Sequence, residues 1–266
     1  MEIVLTIAGS DPSGGAGIQQ DLKTITAHGC YGATVITSIT SQNTLGVLSS
    51  MPVPPDVVAS QLRAVLSDLE PTAIKIGMLP SRAVAEVVVE MLTDYLRSQN
   101  PVDVAVVYDP VMVSTSGYPL MQQDAIDYII QKLFSLCTLV TPNLPETEVL
   151  LAKVKDNHLV ADIQQSGRIL SQYYATAFLL KGGHADGPLT TDWLFETDGT
   201  VCPFTTERIA TGNLHGTGCT LSSAIAARLA LGDRLSVAVG KGKDYVTAAI
   251  RRSVDSHIGH GNGPLI

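Results

Sequence analysis

The chain has 266 residues, enough to bury a sizeable core in one α/β domain, and its apolar content of 45% is ordinary for a globular protein. A net charge of −8 argues against nucleic acid or an anionic membrane as the main partner, although backbone donors still hold small anions inside an acidic protein. No uninterrupted apolar segment is long enough to span a bilayer, and the four cysteines (Cys30, Cys137, Cys202, Cys219) form no CxxC pair that would support zinc or dithiol redox chemistry.

Met1 to Gly9 lacks the basic flank of a signal sequence, so a reduced, cytoplasmic protein is expected. The segment reads instead as a first strand, Ile3–Ala8. A helix follows at Ala16–His28, with Ile18, Leu22 and Ile25 on one face and Gly29 after its end. A strand at Ala33–Ile39, a helix at Val57–Leu69, a strand at Ala73–Ile76 and a helix at Ser81–Ser98, capped by Ser81, continue the alternation. Next come a valine-rich strand at Val102–Tyr108, a helix at Gln122–Leu136, a strand at Thr138–Val140, and helices at Pro145–Ala152 and Asp162–Tyr174. A strand at Phe178–Leu180 ends this rhythm. Trp193–Phe195 and Val201–Phe204 flank the turn signal Thr197-Asp198-Gly199 and read as an antiparallel hairpin. A helix over the run Leu221 to Leu231, ending at Gly232, and a last helix at Leu235–Ser253 close the chain, and the terminal His260-Gly261-Asn262-Gly263-Pro264 reads as loose.

Apolar β-branched strands separated by helices predict a doubly wound α/β fold. The sheet is mostly parallel, with flanking helices and a small antiparallel edge hairpin, in a single domain over 1–266. Ligands of such sheets sit beyond the carboxyl ends of the strands, which selects the loops that matter.

The first such loop, Gly9-Ser10-Asp11-Pro12-Ser13-Gly14-Gly15-Ala16-Gly17, is dense in glycine but matches neither GxGxxG nor the Walker pattern. It reads as backbone closing over a small ligand, or as a turn needing unusual dihedrals. Gln42 follows the second strand, and its amide offers a donor and an acceptor suited to a heteroaromatic ring. Asp109, Asn143 and Glu146 fall at neighbouring strand ends. Such hard oxygen ligands suit Mg²⁺, while Asn143 and Glu146 equally suit the cap and first turn of a helix. Lys181 follows the next strand, where it can reach a phosphate; His184 beside it reads as a loop residue.

The strongest single signal is His215-Gly216-Thr217-Gly218-Cys219-Thr220, directly before an apolar helix. Unpaired N–H groups and the positive pole of that helix favour an anion. Cys219 in its first turn is expected to have a lowered pKa and to act as a base.

In this order the motifs resemble those of ribokinase-superfamily kinases, most closely the hydroxymethylpyrimidine/phosphomethylpyrimidine kinases of thiamine biosynthesis. The matching residues are Thr6 to Gln19, Gln42-Asn43-Thr44, Lys75 to Leu79, Asp109 to Met112, Thr141 to Glu146, Lys181 to His184 and His215 to Thr220. The resemblance implies a ribokinase-like fold, usually homodimeric. It implies ATP-dependent phosphorylation of the hydroxymethyl group of 4-amino-5-hydroxymethyl-2-methylpyrimidine, then of its monophosphate. By that likeness Gln42 binds the pyrimidine, Gly9, Ala16 and Met78 line its pocket, and Asp21 is a further neighbour. Asn143 and Glu146 form an NxxE element serving Mg²⁺ and the nucleotide phosphates, with Asp109 on the metal side and Lys181 facing ATP. Gly216, Thr217, Gly218 and Cys219 form the anion hole, with Cys219 as catalytic base. The wider superfamily has Asp in place of Cys219. The thiol points to the pyrimidine-kinase branch and nearby pyridoxal kinases, which leaves pyridoxal as a rival substrate and a nonenzymatic nucleotide- or vitamin-binding module as a rival class. A dinucleotide oxidoreductase would need GxGxxG and an acid where the second strand ends in Thr40-Ser41-Gln42.

Overall fold

A computed structural model describes residues 1–98, 104–114, 117–154, 162–182 and 187–266; Val102 and His184 lie outside them. The chain enters as β1 (Ile3–Ser10), whose central residues Val4–Gly9 are buried because the strand is covered on both faces. After α1 (Gly17–Ala27), β2 (Tyr31–Asn43) pairs parallel to β1 on one side. The chain then returns through β3 (Gly46–Pro52) and α2 (Pro55–Leu66) to place β4 (Ala73–Ile76) on the other side of β1. This reversal at β1 opens a crevice between the ends of β1 and β4.

From β4 the sheet grows in one direction. It passes α3 (Arg82–Ser98), β5 (Ala105–Tyr108), α4 (Gln123–Lys132), a 3-10 turn at Phe134–Leu136, β6 (Leu139–Val140), α5 (Leu144–Leu151), α6 (Ile163–Tyr174) and β7 (Ala177–Leu180). The antiparallel strands β8 (Leu189–Phe195) and β9 (Val201–Glu207) complete a nine-stranded sheet in the order β3-β2-β1-β4-β5-β6-β7-β8-β9. Last come α7 (Thr217–Ala230) and α8 (Leu235–Ser253).

Strand alternation sends side chains to two cores. Leu5, Ile7, Ile74, Ile76, Val106 and Tyr108 pack with the apolar stripes of α2 to α6. Val4, Ala73, Val107 and Leu139 pack with α7 and α8 through Leu221, Ile225, Ala238 and Val239. α7 therefore lies across the middle of the sheet, and its N-terminus opens toward the strand ends.

The mostly parallel sheet with its far-edge hairpin agrees with the expectation from sequence, and three features differ. Gln42 is inside β2 rather than beyond it, because β2 continues to Asn43 and folds back into β3. β3 itself was not legible: Gly46–Pro52 has no regular apolar alternation, since it lies at a sheet edge with both faces largely open. The terminus is not loose. Pro264 and Leu265 are buried, and backbone bonds tie the segment to Thr44 and His215.

Candidate active site

The strand ends converge on a cavity of about 700 Å³, within the range of small-molecule sites. Its walls run from the β1–α1 loop past Gln42, Lys75 and Met78, over Asp109, Asn143, Glu146 and Lys181, to the first turn of α7 and the inner face of α8.

Asp11 organises one end, and sequence reasoning assigned it no role. Its Oδ1 accepts from the Ser13 N–H (2.8 Å) and hydroxyl (2.7 Å), and its Oδ2 accepts from the Ala16 N–H (2.8 Å). His215 Nε2 lies 3.0 Å from Oδ2, and an ionised carboxylate only accepts, so this nitrogen carries a proton. Burial alone would raise the Asp11 pKa; hydrogen bonds from His215, Gln42 and Ser13 overcome it and hold the carboxyl below its ordinary range. Gln42 lies on the cavity wall near this carboxylate and helps to lower its pKa, as an amide NH₂ turned toward an anion does. Gly9, Ala16 and Met78 line this end, and a Cβ built on Gly9 would stand 3.2 Å from Met78 Sδ.

Asp21 is not on the cavity wall, which corrects its assignment as a substrate neighbour. It is fully buried beneath the wall, where Lys75, Thr6 and Ser223 all donate to it. Lys75 is the residue that reaches the wall. The missed signal was a lysine in the otherwise apolar strand Ala73–Ile76, which demands a buried partner.

The opposite end is built from charge. Lys181 Nζ donates to Asp109 Oδ1 at 2.7 Å, and Thr141 donates to the same oxygen at 3.2 Å. A Cβ on Gly218 would sit 3.1 Å from Asp109 Oδ2 and 3.6 Å from Lys181 Nζ, so this pair adjoins the first turn of α7. Burial would lower the Lys181 pKa, but Asp109 and Glu146 raise it, and the ammonium stays charged. Asn143 and Glu146 form a reciprocal cap on α5: the Asn143 side chain accepts from the Glu146 N–H (2.9 Å) and Glu146 accepts from the Asn143 N–H (2.8 Å). Burial, more than the opposing Lys181 charge, pushes Glu146 up to about 7.

Gly216 precedes α7 at φ 84°, and a Cβ there would overlap the Gly15 carbonyl oxygen, so only glycine brings these two loops together. Gly218 and Cys219 lie in the helix's first turn, whose N–H groups have no intrahelical acceptor. Thr217 differs from expectation, because its N–H already donates to the Leu214 carbonyl. Cys219 also differs. Burial pushes its thiol up to about 11, although Lys75 and the Gly17 N–H act in the opposite direction. The helix pole carries only about half a charge, too little to offset desolvation and the carboxylates of Asp21 and Asp109.

The far wall was also not anticipated. Lys243 of α8 donates to Asp192 of β8 at 2.8 Å, and Asp192 accepts from the Gly182 N–H at 2.9 Å, beside apolar Leu221, Val246 and Ile250. Its trace in the sequence is a lysine on the buried stripe of α8.

The family model described as phosphomethylpyrimidine kinase matches residues 11–266. The chain is 42% identical over 266 residues to the hydroxymethylpyrimidine/phosphomethylpyrimidine kinase of Haemophilus influenzae, covering 98% of this chain and 94% of that protein. It is 43% identical over 261 residues to the Escherichia coli protein of the same name, covering 98% and 95%. A crystal structure of phosphomethylpyrimidine kinase from Clostridium difficile 630 is 40% identical, covers 94% of this chain and 100% of that one, and has a TM-score of 0.78. The pyridoxal kinase of Staphylococcus aureus in complex with AMP-PCP and pyridoxal is 33% identical, with 100% and 93% coverage and a TM-score of 0.85. With a cavity where two carboxylates and a lysine meet a helix N-terminus, and a match that runs almost end to end, this chain belongs to the phosphomethylpyrimidine kinase family.

Proposed function

We propose that this protein is a phosphotransferase that moves the γ-phosphoryl group of ATP to the hydroxymethyl oxygen of 4-amino-5-hydroxymethyl-2-methylpyrimidine, and then phosphorylates the monophosphate, in thiamine biosynthesis. The observation that carries the reading is a single cavity whose wall carries the Gln42 amide at one end and Lys181 with the α7 N-terminus at the other. The oxygen and NH₂ of the Gln42 amide can complement the amino group and ring nitrogen of the pyrimidine. The first-turn N–H groups of Gly218 and Cys219, with the Lys181 ammonium, stabilise charge on the phosphoryl group in flight. Catalysis here is mostly positioning, and Cys219 takes the alcohol proton late in the transfer.

Asp109 and Glu146 fit Mg²⁺. Two carboxylates share one lysine there, and Glu146 is already driven toward protonation, a condition that a hard cation relieves. Among the described residues no group of three metal-ligating side chains exists, which suits an ion held largely by water and phosphate oxygens. When bound, Mg²⁺ supplies charge neutralisation at the β- and γ-phosphates.

The likeness to a pyridoxal kinase keeps pyridoxal as the rival substrate. Initial rates of ADP formation with the pyrimidine, its monophosphate and pyridoxal decide between them; faster turnover of pyridoxal overturns the pyrimidine assignment. Exposed Ile39, Leu45, Leu48 and Met51 on β2, β3 and their connection support a homodimer through this edge, which light scattering on the purified protein tests. No described helix is long and apolar enough to cross a membrane.

A further inference from the structure

The glycine-rich terminus closes a circuit around the Gln42 end of the cavity. Thr44, two residues past Gln42, holds the terminal segment in three places. Its Oγ1 accepts from the His260 and Gly261 N–H groups (3.1 and 3.2 Å), and its carbonyl accepts from the Asn262 N–H (2.9 Å). Further along, the Gly263 carbonyl accepts from the His215 N–H at 3.1 Å, and Pro264 pairs with His215 in a parallel bridge. His215 in turn bonds Asp11 at 3.0 Å, and Asp11 and Gln42 both line this end of the cavity. The two backbones also pass closely, since a Cβ on Gly261 would overlap the Thr44 carbonyl. The far end is anchored as well: Leu265 is buried and the Ile266 N–H donates to Ser253 Oγ at 2.8 Å.

We infer that residues 259–264 are a positioning strap, which fixes the tip of the β2–β3 hairpin and thereby the Gln42 amide in its substrate-binding pose. The inference rests on the reading of Gln42 as the residue that binds the pyrimidine. Gln42 stands near the end of a strand whose hairpin lies at the sheet edge, with Leu45 and Leu48 in solvent, so the sheet alone holds this end weakly. Strap and hairpin together make its orientation a property of the free protein, which lowers the ordering cost when substrate binds.

Thr44→Val deletes the Oγ1 acceptor at nearly constant shape, and Thr44→Ser keeps it. The expected result for Thr44→Val is a roughly tenfold rise in KM for the pyrimidine, with kcat and the KM for ATP within about twofold, and recovery in Thr44→Ser. Gly261→Ala should shift the same constant in the same direction. An unchanged pyrimidine KM in a folded Thr44→Val protein overturns the strap, as does a fall in all constants in proportion to lost thermal stability. Gln42→Ala separates the two layers. If it leaves the pyrimidine KM unchanged, the reading of Gln42 fails and takes the strap with it; if it raises KM while Thr44→Val does not, only the strap fails. Should the variants not fold, amide exchange on the wild-type chain decides, because pyrimidine binding must slow exchange at residues 260–262, and unchanged exchange there overturns the proposal.

Discussion

Lys75 Nζ donates to both carboxylate oxygens of Asp21, at 2.9 and 2.8 Å, and neither side chain is exposed to solvent. Thr6 and Ser223 donate to the same carboxylate, at 2.6 and 2.8 Å, so one ion pair ties β1, α1, β4 and α7 together. Burial would strip the proton from Lys75, but the Asp21 charge more than restores it, and a permanent cation lies in the cavity wall beside Cys219. Removing one partner of such a pair leaves a buried charge uncompensated, at a cost of about 3–5 kcal/mol. Asp21→Ala is therefore expected to lose stability on that scale in urea denaturation. Because Asp21 does not reach the cavity, pyrimidine KM should stay close to wild type in whatever fraction folds. A large, specific KM effect at full stability would return Asp21 to the substrate.

If Cys219 is the base, its raised thiol pKa sets the pH behaviour of the reaction. At about 11, roughly 10⁻⁴ of Cys219 is thiolate at pH 7. A base of that kind gives a kcat/KM for the pyrimidine that climbs nearly tenfold per pH unit from pH 7 to 9. Cys219→Ala should flatten the climb and lower turnover by about 10²–10⁴-fold, with ATP binding little changed. A flat wild-type profile removes Cys219 from the role of base. Lys75→Met should push the thiol higher still, seen as slower iodoacetamide alkylation of Cys219 at a given pH.

Lys181 and Asp109 carry a separate expectation. Read as the cation facing the nucleotide phosphates, Lys181 is held by Asp109 through a 2.7 Å bond. Lys181→Met should raise the KM for ATP by about 10–100-fold and leave pyrimidine binding nearly untouched, measured by titration in the absence of nucleotide. Equal losses for both ligands would mean that the lysine supports the fold rather than the nucleotide.

How much of this could be read from residues alone follows from the physics of each element. Buried parallel strands announce themselves as β-branched runs, and the strand-end rule then nominates the right loops; Asp109, Asn143, Glu146, Lys181 and Gly216 to Cys219 all fall on one cavity for that reason. β3 gave no sign because its stability comes from pairing with β2, not from a buried face. The terminal strap was hidden because its backbone groups bond the Thr44 hydroxyl and carbonyl and the His215 N–H, more than forty residues away in sequence, which no local pattern reveals. The sign of the Cys219 shift was misjudged because the helix pole is visible in sequence, whereas desolvation and the facing carboxylates are properties of the packed site.

Glu146 gives the last test, in which stability and function move in opposite directions. Its folded pKa of about 7 lies above the ordinary 4.5, so between those values the folded protein binds more protons than the unfolded chain. Stability must therefore fall as pH rises from about 4.5 to 7, by up to about 3 kcal/mol from this group in metal-free buffer. Glu146→Gln keeps a side-chain acceptor for the reciprocal cap with Asn143 but cannot ionise. It should abolish that part of the pH dependence and melt at or above the wild-type temperature at pH 8, while losing most of its Mg²⁺-dependent kinase activity. The measurement is thermal unfolding from pH 5 to 8 without metal, set beside turnover at saturating ATP. A variant that melts lower at pH 8, or that keeps full activity, would show that the carboxylate serves the helix cap and not a cation on the nucleotide.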